Sequence, residues 1–81
     1  KLLNFEATIH IKGIDRKGML LDLSRVLSQQ LDIYIRRITI STDNGIFDGT
    51  IEIRVHDRDD VKVIMENIKK IDDLQEVLQI M

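Results

Sequence analysis

Asp15-Arg16-Lys17-Gly18-Met19-Leu20 joins two stretches whose apolar residues follow different periods. Before this turn, apolar and polar residues alternate one by one, which is typical of a strand with one buried face. The apolar positions are Phe5, Ala7, Ile9 and Ile11, and the polar positions are Glu6, Thr8, His10 and Lys12. After the turn, the apolar residues follow a helical period. The sequence therefore predicts a turn between a first strand and a first helix.

The first helix is predicted from about Lys17 to Leu31. Its apolar stripe consists of Met19, Leu20, Leu23, Val26, Leu27 and Leu31, while Leu21 falls on the opposite side. Asp15 is predicted to cap this helix by accepting from backbone N–H groups two or three residues on. The unpaired N–H groups at a helix start, with the helix dipole, can hold a carboxylate or another anion. Gly18 leaves room for a ligand or a second backbone.

The next two strands are predicted to form a hairpin. The second strand spans about Ile33 to Thr42, and its apolar alternation slips by one residue at Arg36-Arg37, which is typical of a β-bulge. Asp43-Asn44-Gly45 is a tight-turn sequence. The third strand alternates cleanly, with Phe47, Gly49, Ile51, Ile53 and Val55 inward and Asp48, Thr50, Glu52, Arg54 and His56 outward.

A second helix and a last strand complete the pattern. Asp57 to Asp60 supply N-cap candidates and favourable charge for the helix. Its stripe is Val61, Ile64, Met65, Ile68 and Ile71, with Val63 off the stripe. Leu74 to Met81 is predicted to form the last strand, carrying Val77 or Leu78, and Ile80. The βαββαβ order predicts an α+β, ferredoxin-like sandwich, in which two helices cover one face of a four-stranded antiparallel sheet.

Length and composition indicate one small domain over residues 1–81. The net charge of −2 argues against a general nucleic-acid binder, and the absence of cysteine excludes disulfides and thiolate metal sites. The chain does not begin with Met, which indicates a fragment of a longer protein or a processed start. Because no apolar run is long enough to span a membrane and no signal peptide precedes the first strand, we expect a cytoplasmic location.

The residues offer little catalytic chemistry. No Ser or Thr has a base and an orienting carboxylate nearby, and there is no glycine-rich phosphate loop. Acylphosphatases also place an arginine, here Arg16, at the first turn, but they need an asparagine on a neighbouring strand, and Asn44 lies in a turn. His10 and His56 face outward without an obvious third metal ligand. The outward positions of the first and third strands lack aromatic residues for stacking RNA bases. We expect no enzyme activity, no metal and no cofactor.

The turn from Asp15 to Leu20 also carries a family resemblance. Together with Leu23, Val26, Leu27, Ile33, Gly45, Phe47, Gly49 and the strand from Ile51 to Val55, it resembles an ACT domain over nearly the whole chain. ACT domains are small regulatory βαββαβ modules, often fused to metabolic enzymes, that associate with one another and commonly bind amino acids at the shared interface.

Within the family, two segments narrow the resemblance. The Asp-Arg-x-Gly-hydrophobic-Leu turn followed by Asp22, and the strand ending Ile53 to Asp57, most resemble the carboxy-terminal ACT domain of RelA/SpoT-type guanosine tetraphosphate synthetases and hydrolases. Met81 as a natural carboxy terminus fits that placement, although the last strand lacks the basic residue that often closes it. Related turns occur in ACT domains of phosphoglycerate dehydrogenase and of glycine-cleavage regulators.

The resemblance implies a ligand site at the first turn. Its residues are Ile14, Asp15, Arg16, Lys17, Gly18, Met19 and Leu20, completed by the partner subunit's Ile33, Tyr34 and Ile35. Backbone N–H groups and Asp15 would hold the charged ends of an amino acid, and Ile14, Met19 and Ile35 would form an apolar wall, which favours a branched-chain ligand. The alternative is that Asp15 only caps the helix, Gly18 only relieves crowding and the apolar residues are core.

The function implied by the resemblance is regulatory. A homodimer of ACT domains would control a parent GTP pyrophosphokinase, which makes and degrades guanosine tetra- and pentaphosphate in the stringent response. The alternatives are an interaction module without a small ligand, contacting other domains of the parent enzyme or the ribosome, and the ACT domain of another amino-acid-regulated enzyme. Leu21 and Val63 lie where other domains would dock, and the second strand is an edge suited to pairing with a second copy. No membrane partner is expected.

Overall fold

The computed structural model describes residues 5–30 and 33–81. Its elements are β1 (Phe5–Ile14), α1 (Met19–Ser28), β2 (Tyr34–Asp43), β3 (Ile46–Val55), α2 (Arg58–Lys69) and β4 (Leu74–Gln79). The strands form an antiparallel sheet in the order β2-β3-β1-β4. These observations confirm the predicted ferredoxin-like α+β sandwich, with β2 and β4 at the two edges of the sheet. Within the described residues, neither helix has the length and apolar character needed to cross a membrane.

The core lies between the sheet and the two helices. The inward residues of the two central strands are buried as predicted, and they are Ala7, Ile9, Ile11, Phe47, Gly49, Ile51, Ile53 and Val55. The helices cover them with Met19, Leu23, Leu27, Val61, Ile64 and Ile68. Because all of these side chains belong to one cluster, both helices pack on the same face of the sheet. The other face is left open.

The predicted stripe of α1 is too wide. The helix begins at Met19 and ends at Ser28, rather than running from Lys17 to Leu31, and Leu31 lies outside the described residues. Leu20 was expected in the stripe, yet its side chain is 53% exposed. Its position, about 100° around the helix from Met19, is on the flank of α1 rather than on the line that faces the sheet.

The last strand buries Val77 and not Leu78. Val77 lies opposite Ile11 and therefore points toward the helices, whereas Leu78 lies opposite His10 on the open face. The N–H of Ile80 donates to the carbonyl of Thr8, and the Ile80 side chain also belongs to the open face, where it is 58% exposed. Of the apolar residues expected on the last strand, only Val77 therefore joins the core, because strand register decides which face a residue joins.

Two local predictions are confirmed. The register of β2 against β3 shifts between Ile35 and Arg37, so the extra residue forms the predicted bulge and keeps the isoleucines on both sides of it facing inward. At the start of α2, Asp57 is the N-cap, and its Oδ1 accepts from the backbone N–H groups of Asp59 (2.9 Å) and Asp60 (3.3 Å). Asp60 Oδ2 accepts in return from the N–H of Asp57, completing a capping box.

Candidate ligand-binding turn

Three turns meet at the end of the sheet where β1 leads into α1. The N–H of Ile14 donates to the carbonyl of Asp73 in the α2–β4 turn, at 2.9 Å. The N–H of Asp15 donates to the carbonyl of Gly45 in the β2–β3 hairpin, also at 2.9 Å. β1 approaches the α2–β4 turn so closely that a Cβ on Gly13 would lie 2.5 Å from the Asp73 carbonyl oxygen. The predicted ligand turn is therefore fixed by two neighbouring turns.

The helix cap differs from the prediction. Asp15 does not cap α1, since Gly18 occupies the N-cap position and no side chain of the described residues caps the helix. The N–H of Met19 donates to the Arg16 carbonyl and that of Asp22 to the Gly18 carbonyl, so the helix begins too far along the chain for the Asp15 carboxylate to serve as its N-cap. The Asp15 residue is exposed instead. Within residues 5–30 and 33–81, the first N–H groups of α1 thus have no side-chain acceptor.

Gly18 is required by backbone conformation and not by crowding. Its φ of +86° lies in the left-handed region, which side chains disfavour. Among the described residues, a Cβ at this position would meet only the Arg16 Nη1 atom, at an ordinary contact distance of 3.5 Å. The alternative that Gly18 merely relieves crowding is therefore wrong, and the glycine sets the path of the chain from β1 into α1.

Arg16 is held by groups within this chain. Its Nη2 donates to Asp22 Oδ2 and to the Asp72 carbonyl, both at 2.8 Å, its Nε donates to Asp73 Oδ2 at 3.1 Å, and its Nη1 donates to the Lys17 carbonyl at 3.1 Å. The hydrogen bond that Arg16 donates to Asp22 is the main cause that raises the pKa of Arg16 above its ordinary value. Desolvation opposes this rise, and the charges of Asp22 and Asp73 and the hydrogen bond to Asp73 add to it. Four of the five guanidinium donors are thereby occupied.

The remaining residues of the predicted site differ in their accessibility. Asp15, Lys17 and Gly18 are exposed, and Ile14 is exposed beside Ile46, its partner across the sheet. The side chain of Met19 is 1% exposed and packs in the core. The apolar wall predicted from Ile14, Met19 and Ile35 therefore loses Met19 as a surface residue. Leu20, exposed on the flank of α1, is an apolar side chain available in its place.

The residues predicted to come from the partner subunit lie at the start of β2. Ile33 and Ile35 are partly buried against the core, whereas Tyr34 is exposed. The guanidinium of Arg54 lies 6.0 Å from the centre of the Tyr34 ring. The ligand and interface roles of these residues stay predictions.

The two histidines are not brought together. His10 lies opposite Thr50 and its Nε2 is 3.0 Å from Asp48 Oδ1. His56 follows Val55, which lies opposite Phe5 at the other end of β1. Over residues 5–30 and 33–81, no group of three or more acidic or histidine side chains is arranged to hold a metal ion.

The residues around Arg16 were missed as a cluster by sequence reasoning. Asp72 and Asp73 break the helical pattern of α2, and only that breaking signal is visible in the sequence. Asp22 stands six residues after Arg16 and Asp73 stands 57 residues after it. A contact between residues so distant in the chain has no local sequence signal, which is why the network is found only in three dimensions.

Comparison with known proteins agrees with the observed fold. A family model described as the ACT domain matches residues 2–78. The chain belongs to the ACT domain family. It is accordingly a regulatory module and not a catalytic one.

Several solved structures are similar to this chain, and two of them are of one ACT domain. The crystal structure of the ACT domain from the GTP pyrophosphokinase of Chlorobium tepidum is 30% identical, covers 94% of this chain and 97% of its own, and has a TM-score of 0.86. The solution structure of the same domain is 29% identical, covers 98% and 89%, and has a TM-score of 0.85. A homoserine dehydrogenase from Thiobacillus denitrificans, 19% identical over 96% of this chain and 18% of its own, shares the fold with a TM-score of 0.67. No curated protein sequence gives a significant match.

Proposed function

We propose that this ACT domain pairs with a second copy through β2 and binds a branched-chain amino acid at the shared interface. In this way it would control a parent enzyme that makes or degrades guanosine tetraphosphate. The observation that carries the proposal is the apolar inner face of an edge strand that the helices leave incompletely covered. The likeness to a GTP pyrophosphokinase ACT domain supports the identity of the parent enzyme.

The uncovered surface lies on the helix side of β2. Ile35 and Ile40 are only partly buried against the core, and Ile38 is 39% exposed although it faces inward opposite Ile51. A second copy that continues the sheet at this edge would cover these side chains and satisfy the outer backbone groups of β2. The bulge at Arg36 limits regular pairing to the residues on either side of it, which favours one register over continuous growth.

Antiparallel pairing of two β2 strands would complete the ligand site. β2 runs in the same direction as β1, since both are antiparallel to β3. The end of β2 at Asp43 therefore lies at the same end of the sheet as the β1–α1 turn. In an antiparallel pair, the partner's β2 begins beside the end of this one, so the partner's Ile33 to Ile35 segment would approach the turn at Asp15 and Gly18.

The groups available at the turn suit a zwitterion with an apolar side chain. The exposed carboxylate of Asp15 would hold an ammonium group, and the uncapped N–H groups of α1 would hold a carboxylate, helped by the helix dipole. Ile14, Leu20 and the partner's Ile35 would enclose the side chain. Arg16 is poorly placed to receive the carboxylate, since four of its five donors are already engaged.

Binding across the interface would regulate by shifting a population. An amino acid that contacts both copies binds the pair better than the single chain, and it favours the pair by no more than that difference in affinity. The parent enzyme would sense the ratio of paired to single domains. Exposed Leu21 and Val63, which lie on the helices away from the sheet, favour the alternative of an interaction module that contacts another protein or the ribosome.

Sedimentation velocity of the 81-residue chain, with and without valine, leucine or isoleucine, tests the proposal. We expect a concentration-dependent dimer that shifts to lower concentrations with at least one of these amino acids and not with aspartate or lysine. Ile38→Lys should abolish the dimer, since it places a charge on the β2 surface. Ile80→Lys is the matched control, because Ile80 is an exposed isoleucine beside the other edge strand.

Three results would contradict the proposal. A chain that stays monomeric at millimolar concentration has no pairing function of its own. Equal loss of the dimer in both lysine variants would move the interface away from β2. A dimer that ignores every amino acid would leave assembly without a small ligand and favour the interaction-module alternative.

A further inference from the structure

The side chain of Arg16 spans two turns that are far apart in the sequence. Through its backbone it belongs to the β1–α1 turn, and through Nε and Nη2 it reaches the carboxylate of Asp73 and the carbonyl of Asp72 in the α2–β4 turn. A third contact, to Asp22 at 2.8 Å, holds the same guanidinium against the first turns of α1. One planar group thus contacts three segments.

The backbone joins the same two turns beside the side chain. The N–H of Ile14 donates to the Asp73 carbonyl, and the absence of a side chain on Gly13 lets β1 approach that carbonyl. Asp73, which makes these contacts, has a φ of +70° and therefore lies in the left-handed region. The turn geometry around Asp73 and the position of Arg16 therefore depend on one another.

We propose that Arg16 is a positioning residue that makes the β1–α1 turn and the α2–β4 turn behave as one unit. The α2–β4 turn leads directly into β4, which is the sheet edge opposite β2. A change in the β1–α1 turn is then transmitted to β4, and a contact made on β4 is transmitted back to the turn. The coupling of the two turns through Arg16 requires no ligand, whereas a regulatory role for this coupling rests on the proposed function.

The geometry favours this role over direct contact with a ligand. A guanidinium that binds a ligand carboxylate needs two parallel donors free at the surface. Here Nε and Nη2 already donate to Asp73, Asp22 and Asp72, and the side chain is a quarter exposed. A lysine would keep the charge but lose the planar fork that serves several acceptors at once.

Amide hydrogen exchange of the 81-residue chain, followed by NMR, tests the link without a partner or an amino acid. Arg16→Gln should speed exchange of the Ile14 N–H and of the Leu74 N–H by similar factors, on the order of tenfold, because both turns open together. Arg16→Lys should recover little of the protection. Arg25→Gln is the matched control, since Arg25 also contacts Asp22, at 3.5 Å, but within the described residues makes no hydrogen bond or ion pair with Asp72 or Asp73.

Asp73→Asn keeps the left-handed backbone accessible and weakens one contact of Arg16, so it guards against a variant that fails to fold. It should speed the same two amides by a smaller factor and shift the resonance of the Arg16 Nε–H. In the unmodified chain that Nε–H should itself exchange slowly. The proposal is overturned if the Nε–H exchanges as fast as that of Arg25, if only one of the two turns responds, or if Arg25→Gln has the same effect.

These outcomes are separable from failure of the proposed function. Exchange and the Arg16 resonance are read on single chains at low concentration, where neither pairing nor an amino acid contributes. A chain that never pairs can still show the link. A chain that pairs and binds an amino acid can still lack it.

Discussion

Gly18 is needed for its backbone conformation and not because neighbouring atoms crowd it. At a φ of +86°, alanine is strained even though there is space for its methyl group. We expect Gly18→Ala to lower the free energy of unfolding by about 1–3 kcal/mol, as for other residues held in a disfavoured backbone region. Urea denaturation measures this loss.

Gly18→Asn is the informative companion variant. Asparagine tolerates the left-handed region better than alanine, so it should be less destabilising despite its larger side chain. If the two variants lose equal stability, or if asparagine loses more, then space and not backbone conformation governs the position.

At the β1–α1 turn, some features were predictable from the sequence and others were not. The turn that contains Asp15, Arg16 and Gly18 was predictable from its place between two periodic segments. The cap was misassigned because Asp15 is a good capping residue by type, while the actual start of the helix depends on the path that Gly18 gives the backbone. The partners of Arg16 were not predictable, since Asp73 comes near it only after the second helix has folded onto the sheet.

At the scale of elements, α2 depends on its capping box. We expect Asp57→Ala to destabilise the fold by about 1 kcal/mol, because it removes the acceptor for two backbone N–H groups and leaves the first turn of the helix unsatisfied. Asp59→Asn is the control, since Asp59 is an acidic residue of the same turn whose side chain is not the cap. Thermal unfolding of the two variants compares them.

Asp59→Asn should lose only a few tenths of a kcal/mol, the scale of a charge near an exposed helix start. Equal losses in the two variants would mean that helix-dipole charge, and not hydrogen bonding by Asp57, stabilises the start of α2.

Elements were predictable to the extent that their signals are local. The bulge at Arg36 and the cap at Asp57 each follow from a pattern of neighbouring residues, and both are confirmed. The width of the α1 stripe and the register of β4 depend on where neighbouring elements lie. Leu20 was therefore assigned to the apolar stripe by period alone, although tertiary packing leaves it exposed, and the choice between Val77 and Leu78 stayed open until the register of β4 was known.

At the scale of the whole molecule, ligand binding should increase the free energy of unfolding. An amino acid at about 100 times its dissociation constant adds roughly 2.7 kcal/mol to the folded state. For a small domain, each kcal/mol raises the midpoint of thermal unfolding by roughly 4–8 °C. We expect a selective rise with valine, leucine or isoleucine among the twenty amino acids, and a smaller rise in Ile38→Lys, which lacks the paired site.

A uniform response to all twenty amino acids, or an equal rise in Ile38→Lys, would contradict a site shared by two copies. The first result would indicate a general solvent effect. The second would place any binding site within a single chain.

The unequal lengths of the two sheet edges bear on symmetry. β2 has ten residues and β4 has six. Pairing β2 with β2 is isologous and closes after two copies, whereas stacking β2 on β4 would repeat without end and build a filament. Because a six-residue edge offers little template to a ten-residue one, the closed twofold arrangement is favoured. In the proposed dimer, the short last strand would thereby protect the apolar edge at β2 from fibre formation.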